Sequence, residues 1–190
     1  TKENPQTISY FGNIRCNRYR SLADVGGALD SLNQKLGTSY RLRIYTAEKD
    51  PQILETFSDI PSVELCGFVA GEEFDRAFHA SDLLLHVEAF DEESMDAVKH
   101  SVSTKVAESL ASGIPLLAYG PQNVASMAHL RQNNCALTAV NPTELEGMLL
   151  QAFTDGNARQ KSAERALAVA RQCHDSEQNS QRLYALLEAL

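Results

Sequence analysis

The sequence is short of basic residues and of long apolar runs, and each deficit argues against a class of protein. Seventeen lysines and arginines stand against 25 acidic residues, so the formal net charge is −8. That balance argues against a protein that coats nucleic acid. No apolar stretch approaches the length of a membrane span, and no signal-peptide pattern opens the chain. We therefore expect a cytoplasmic protein without a nucleic-acid partner.

Cysteine pairs and metal-ligand patterns are also missing. The four cysteines are far apart and form no CxxC pair: Cys16, Cys66, Cys135 and Cys173. This gives little support for a zinc site or a disulfide framework and fits a reducing compartment. The histidines at 79, 86, 129 and 174 show no metal-ligand spacing, and the acidic run 91–96 is interpreted as a solvated loop, so we predict no bound metal.

What is present is enough apolar material for one domain. The chain has 190 residues, of which 43% are hydrophobic. Because its first residue is Thr1 rather than Met, we expect a domain of a longer protein.

Short apolar runs alternate with longer amphipathic segments along the chain. The runs predict strands at 7–12, 40–46, 62–69, 82–88, 114–120 and 135–140. Helical spacing of apolar residues predicts helices at 21–36, 51–57, 71–81, 102–112, 122–133 and 142–153. Six alternations with short connections predict an α/β fold: a Rossmann-like, doubly wound, parallel six-stranded sheet with helices on both faces.

Details of this pattern carry further expectations. Gly26 and Gly27 weaken the first helix, so we expect a close packing contact there. Residues 89–100 predict an acidic loop or a loose helical turn. From about 157 to 190 the chain is predicted to be helical, with a break near 173–178.

Basic residues gather near the starts of two predicted helices, where the helix dipole normally favours acids. After strand 1 they are Arg15, Arg18 and Arg20; after strand 4 they are Lys99, His100 and Lys105, beside the hydroxyls of Ser101, Ser103 and Thr104. In a doubly wound sheet of strand order 3-2-1-4-5-6, ligands bind between strands 1 and 4, outside their carboxyl ends. A phosphate bound there would explain both clusters, because helix N–H groups and cations converge on an anion.

Lys105 and Glu108 have two competing interpretations. In the first, Lys105 contacts the phosphate, and Glu108, one turn deeper on the same helix face, accepts hydrogen bonds from a ribose diol. In the second, the two side chains pair with each other on a solvated surface, which adds little stability.

Three segments resemble glycosyltransferases of the GT-B fold, in the large retaining, nucleotide-sugar-using group known as glycosyl transferases group 1. The stretch "STKVAESLASGIPLLAYGP" (103–121) is similar to the donor-site signature of that group. "VELCGFVAGEEFDRAFHASDLLL" (63–85) is similar to its strand, G-x-V turn, helix and Asp, and "YFGNIRCNRYRSLADVGGAL" (10–29) resembles its first strand, glycine turn and basic loop. The resemblance covers nearly the whole chain but only the C-terminal half of such an enzyme.

The resemblance implies that residues 1–190 form a single nucleotide-sugar-binding domain, whose N-terminal acceptor-binding domain is absent from this chain. It implies transfer of a sugar from a nucleotide-diphosphate sugar to an acceptor in polysaccharide or glycolipid synthesis, with retained anomeric configuration and without a cofactor. The isolated domain would bind donor but transfer little or no sugar. The implied partners are the nucleotide sugar and the N-terminal half, through which the enzyme would contact the cytoplasmic face of a membrane.

The resemblance also implies roles for individual residues. The implied donor-binding set is Gly12, Asn13, Arg15, Arg18, Gly67, Phe68, Val69, His100, Ser103, Thr104, Lys105 and Glu108. In it Glu108 holds the ribose, and the backbone at 67–69 holds the base. Arg18 contacts the pyrophosphate and Lys105 lies where phosphate and sugar meet the helix, so these two are the candidate catalytic residues.

Two positions depart from the family pattern. The first of the family's paired glutamates should lie eight residues before Glu108, where this sequence has His100; that histidine, Ser101 or an acid of the loop 88–96 would take its role. Asn13 follows the first-strand glycine where the family often has arginine, so another loop arginine must supply the charge. The missing glutamate keeps open an alternative, a non-catalytic nucleotide- or phosphate-binding module of the same fold. A sugar-nucleotide epimerase of related fold is disfavoured, because its additional acids and histidines are not identifiable.

Overall fold

The computed structural model describes residues 1–188, without the side chains of residues 176, 178, 182, 183 and 186. Its central feature is a six-stranded parallel sheet in the order β3-β2-β1-β4-β5-β6. The strands are β1 (Thr7–Phe11), β2 (Arg41–Tyr45), β3 (Val63–Gly67), β4 (Leu83–Val87), β5 (Leu116–Tyr119) and β6 (Leu137–Ala139). The helices of the described residues are α1 (Arg18–Leu36), α2 (Pro51–Glu55), α3 (Gly71–Ala80), α4 (Glu92–Val98), α5 (Thr104–Ala111), α6 (Ala125–Gln132), α7 (Pro142–Thr154), α8 (Gly156–Cys173) and α9 (Ser176–Glu188). The predicted doubly wound fold is confirmed, and the strand order reverses between β1 and β4.

Helices cover both faces of the sheet because its central strands are apolar on both sides. All four residues of β5 are buried, and so are four of the five in β4. On one face α1 and α7 contribute Leu22, Val25, Leu29, Leu145 and Leu149 to the core. On the other face α5, α6 and α8 contribute Val106, Leu110, Met127, Leu130 and Ala166.

The first helix packs tightly against the edge of the sheet at one of its two glycines. A Cβ atom on Gly26 would lie 2.6 Å from Val63 Cγ2 and 2.8 Å from Ile60 Cγ2. The Gly26 carbonyl also accepts a buried hydrogen bond of 2.8 Å from Ser62 Oγ. Gly27 is exposed, and a Cβ atom there would meet nothing within 4 Å. The predicted close contact is therefore present at Gly26.

Two local boundaries differ from the sequence-based expectations. Helix α1 begins at Arg18 rather than at 21, after Asn17 in the left-handed conformation (φ 58°), so Arg18 lies in the first helical turn instead of a loop. Part of the acidic segment 89–100 forms the helix α4, which begins after Asp91. The Asp91 carboxylate accepts a hydrogen bond of 3.0 Å from the Ser94 backbone N–H, the usual N-cap interaction.

Two charged side chains hold the segment before β1 at the amino edge of the sheet. The Asp82 carboxylate accepts hydrogen bonds from the backbone N–H groups of Gln6 (2.7 Å) and Thr7 (2.9 Å). The guanidinium of Arg159 is buried and donates to four carbonyls, those of Ala152, Phe153, Lys2 and Glu3, at 2.9–3.2 Å. Its charge is thus compensated by backbone acceptors that belong to two separate segments, α7 and the residues before β1.

The C-terminal region is helical with an interruption at residues 174–175, which confirms the predicted break near 173–178. At this break His174 Nε2 lies 3.0 Å from His129 Nε2 of α6. Among residues 1–188, none of the helices combines the length and the apolar character needed to cross a bilayer. Residues 189–190 of the predicted helical region lie outside the described residues.

Candidate functional site

Two neighbouring cavities open near the carboxyl ends of the strands, where β1 and β4 diverge. The large cavity has a volume of about 470 Å³ and is lined by the ends of β1 and β2, the segment after β3, and side chains of α3 and α5. The small cavity, about 120 Å³, lies between β1, β4 and α5. Phe11, Asn13 and Lys105 line both, so the two cavities are joined at these residues. This is the switch point at which doubly wound sheets bind ligands.

Aromatic rings form one wall of the large cavity. Phe11 and Tyr45 are stacked, with ring centroids 4.5 Å apart and planes 4° from parallel. Phe74 meets Phe11 edge to face at 5.3 Å, and Phe68, which is 70% exposed, lines the same cavity. Flat, partly polar rings bind well to such surfaces.

Lys105 and Gly12 approach each other where the two cavities meet. Gly12 has φ 152°, and a Cβ atom there would lie 3.3 Å from Lys105 Cε, so glycine leaves room for the lysine side chain to pass. Among residues 1–188 the Lys105 ammonium has no hydrogen-bond or ion-pair partner, and the alternative pair with Glu108 is not formed. An uncompensated cation in the first turn of α5 reinforces the positive end of that helix dipole.

The arginine that lines the large cavity is already paired. Arg15 donates to both oxygens of Glu48, from Nε at 2.6 Å and Nη2 at 3.1 Å. Glu48 also accepts from the backbone N–H groups of Lys49 (2.9 Å) and Asp50 (3.0 Å). These hydrogen bonds, that of Arg15 first, lower the pKa of Glu48 to about 2. Arg15 therefore adds little net charge to the cavity.

Arg18 lines the small cavity and is paired with a buried carboxylate at the end of β4. Its Nη2 and Nε donate to Glu88 Oε2 at 2.9 and 3.2 Å. The other oxygen, Oε1, accepts from Ser126 Oγ at 2.9 Å and lies 3.2 Å from His86 Nε2, an ion pair when the imidazole is protonated. Burial would raise the pKa of Glu88, but His86, Arg18 and Ser126 outweigh it and lower the pKa to about 2. Glu88 is ionised at neutral pH.

The remaining sequence-predicted residues are divided between the cavities and the surface. Glu108 and Ser103 line the small cavity, and Ser103 is the N-cap of α5 without a side-chain capping bond. Phe68 and Val69 line the large cavity, next to Gly67 in the left-handed conformation (φ 76°). Thr104 and His100 are exposed and line neither cavity.

Glu48, Glu88, Tyr45 and Phe74 were not identified from the sequence as individual site residues. Glu88 came within the acidic stretch 88–96, but its pairing with Arg18 spans 70 positions. The alternating pattern of β2 and the amphipathic pattern of α3 assign Tyr45 to a strand and Phe74 to a helix, but they do not indicate that either residue lines a cavity. Their position at the carboxyl end of the sheet was the available signal.

Comparison with known proteins places the chain in a family. The profile of the glycosyl transferase-like family matches residues 26–185. No curated protein matches the chain significantly in sequence.

Solved structures share the fold. HepE of Anabaena in complex with UDP superimposes with a TM-score of 0.75 at 16% identity, covering 98% of this chain and 50% of that one. WaaG, a glycosyltransferase of lipopolysaccharide biosynthesis, gives 0.63 at 20% identity, covering 90% and 44%. The C-terminal domain of the group 1 glycosyl transferase LpcC from Francisella tularensis gives 0.64 at 13% identity, covering 91% and 89%.

The chain thus spans about half of HepE and WaaG and nearly all of a separately crystallised C-terminal domain. Its sheet and helices match the fold of GT-B glycosyltransferases. The chain belongs to the glycosyl transferase-like family and has the fold of a C-terminal GT-B domain.

Proposed function

We propose that residues 1–190 form the donor-binding domain of a retaining glycosyltransferase that uses a nucleotide-diphosphate sugar. The observation that carries the proposal is the uncompensated Lys105 ammonium where the two cavities meet. It lies between an aromatic wall suited to a base and the small cavity that contains Glu108. The UDP bound by HepE supports the same ligand class for this chain.

The diphosphate leaving group is the part of the reaction that these residues stabilise. As the glycosidic bond to the nucleotide breaks, negative charge grows on the diphosphate oxygens. Lys105 and the N-terminus of α5 offset that charge, with Arg18 contributing through any N–H groups that Glu88 does not use. Glu108 accepts hydrogen bonds from the ribose diol, and the base lies against Phe68 and Val69.

The acceptor, in this proposal, binds to an N-terminal domain that closes over the cavities during transfer. The isolated chain therefore binds donor but transfers little or no sugar. Transfer serves polysaccharide or glycolipid synthesis, with no cofactor beyond the donor. The site faces the cytoplasm, and any membrane contact is made by the other domain.

The alternative of a non-catalytic binding module is favoured by one observation. His100 stands where the family has its first glutamate, and its side chain is exposed and lines neither cavity. Sugar turnover by the complete protein, supplied with donor and acceptor, separates the two functions. Nucleotide binding without any turnover would support the module.

The binding site is tested by calorimetric titration of the 190-residue chain with UDP, GDP and ADP. Loss of a charged hydrogen bond predicts that Lys105→Ala weakens the preferred nucleotide roughly 10- to 100-fold, and Glu108→Ala should weaken it as well. Lys161→Ala is the matched control, because Lys161 is an exposed lysine of α8 outside both cavities. Wild-type affinity in both site variants would refute the assignment.

A further inference from the structure

The backbone of Glu88 is fixed from several sides at the end of β4. Its N–H donates to the Tyr119 carbonyl at 3.0 Å, and its carbonyl accepts from Ser21 Oγ at 2.8 Å. A Cβ atom on Gly120 would lie 2.9 Å from Glu88 Cβ, so the end of β5 leaves space for Glu88 only by carrying glycine. The carboxylate therefore emerges at a defined place between α1, β5 and α6.

The two oxygens of this carboxylate have different partners. Oε1 faces Ser126 and His86, whereas Oε2 accepts hydrogen bonds from Arg18 alone among residues 1–188. The Asp82 carboxylate, by comparison, is held by the Lys2 ammonium, the Thr7 hydroxyl and two backbone N–H groups, and none of these residues lines either cavity. The pairing with Arg18 instead ties a cavity-lining cation to a rigid strand end.

Arg18 keeps donor groups that Glu88 does not use. Its guanidinium gives Nε and Nη2 to Glu88, while Nη1 has no hydrogen bond to any residue of the described range 1–188. The side chain is 23% exposed and lines the small cavity with Lys105 and Glu108. A planar guanidinium held along one edge has its other edge fixed in orientation.

We propose that Glu88 is a positioning residue for donor binding, which holds the Arg18 guanidinium in a fixed plane so that its remaining N–H groups receive the diphosphate. This inference rests on the proposed function. Without Glu88 the arginine is a flexible side chain that must be ordered when the ligand binds, and such ordering weakens association. Glu88 also cancels the net charge of Arg18, so Arg18 acts through short, directed hydrogen bonds, and Lys105 supplies the uncompensated charge.

The test is a set of titrations with the 190-residue chain: wild type, Glu88→Gln, Arg18→Ala and the double variant. The ligands are the nucleoside diphosphate that binds best among UDP, GDP and ADP, and the nucleoside that corresponds to it. Binding of each ligand is measured by ligand-observed NMR. We expect Glu88→Gln to lower the affinity for the nucleoside diphosphate roughly three- to tenfold and to leave the affinity for the nucleoside unchanged. In the Arg18→Ala background the same substitution should have no further effect on diphosphate affinity.

Each contrary result has a distinct meaning. If Glu88→Gln lowered the affinities for nucleoside and diphosphate equally, or had its full effect on diphosphate affinity in the Arg18→Ala background, Glu88 would only support the fold. Tighter binding by Glu88→Gln would show that Glu88 competes for Arg18. Either result overturns this inference while nucleotide binding by the wild type stands. A wild-type chain that binds none of the three nucleotides overturns the proposed function, and this inference with it.

A second variant covers the case in which Glu88→Gln does not fold. Arg18→Lys keeps a cation opposite Glu88 but lacks the planar edge that would serve carboxylate and phosphate together. We expect its diphosphate affinity to fall to that of Arg18→Ala, with the nucleoside again unaffected. Wild-type diphosphate affinity in Arg18→Lys would overturn the proposal.

Discussion

The two adjacent glycines of α1 should respond in opposite ways to the same substitution. Alanine at Gly26 places a methyl group 2.6 Å from Val63 Cγ2 and 2.8 Å from Ile60 Cγ2, well inside normal contact distance. Both neighbours are β-branched and stiff, so they cannot easily move aside. Alanine at Gly27 meets nothing within 4 Å. Comparing Gly26→Ala with Gly27→Ala therefore separates the effect of helix propensity on stability from the effect of packing, at two positions in the same helical turn.

The magnitudes follow from two opposing effects. Replacing glycine by alanine inside a helix gains about 1 kcal/mol, whereas overfilling a packed contact costs about 1–3 kcal/mol. With both distances below 3.0 Å, we take the upper half of that cost. Gly26→Ala should therefore destabilise the protein by about 1–2 kcal/mol, lowering Tm by roughly 2–8 °C. Gly27→Ala should stabilise it by about 0.5–1 kcal/mol.

Urea denaturation of both variants, followed by circular dichroism, measures the difference as a shift in midpoint at constant m-value. A second comparison uses Val63→Ala, which removes the Cγ2 atom: in that background Gly26→Ala should cost less than in the wild type. Equal stabilisation by the two glycine substitutions would refute the packing argument. So would a Gly26→Ala cost that is unchanged by Val63→Ala.

Three further predictions follow from individual residues. The pKa of Glu88 is about 2 in the folded chain against 4.5 in the unfolded chain, which contributes up to about 3 kcal/mol to the free energy of unfolding; this contribution is present above pH 4.5 and is lost as pH falls toward 2. The free energy of unfolding of Glu88→Gln, measured against pH, should lack this decrease. Gly12→Ala should lower nucleotide affinity in the titrations, because its methyl group would lie 3.3 Å from Lys105 Cε on a backbone at φ 152°; unchanged affinity would contradict this. Burial raises the pKa of Cys135 to about 11, so limiting iodoacetamide at pH 8 should alkylate the exposed Cys16 first, and equal rates by mass spectrometry would contradict the burial argument.

The sheet was predictable because its information is local. Apolar runs and helical periodicity identify β1 to β6 and the main helices, and short connections between alternating elements require parallel crossovers. The sequence predicts only an acidic loop or a loose helical turn at α4, because three of its seven residues are charged and only Ser94 is buried. The sequence did contain a signal for it, since Asp91 followed by acids at 92–93 is a typical N-terminus.

The charge state of the site was not predictable in the same way. The sequence placed the arginines of α1 and its preceding loop near Lys105, and the structure does bring Arg15, Arg18 and Lys105 to adjoining cavities. Their partners Glu48 and Glu88 are 33 and 70 positions away, in the segments that follow β2 and β4. The local sequence shows which cations a loop carries, but which of them are paired with carboxylates depends on contacts between residues that are distant in sequence.

The buried guanidinium of Arg159 has a mechanical consequence. Arg159 and Asp82 hold residues 2–7 at the amino edge of the sheet, while both cavities open at the carboxyl edge. We therefore expect a pulling force on the N-terminal residues to load these hydrogen bonds before it reaches the β1 ladder. Tension on that end of the chain would then act a full strand length away from Gly12 and Lys105, where the two cavities meet.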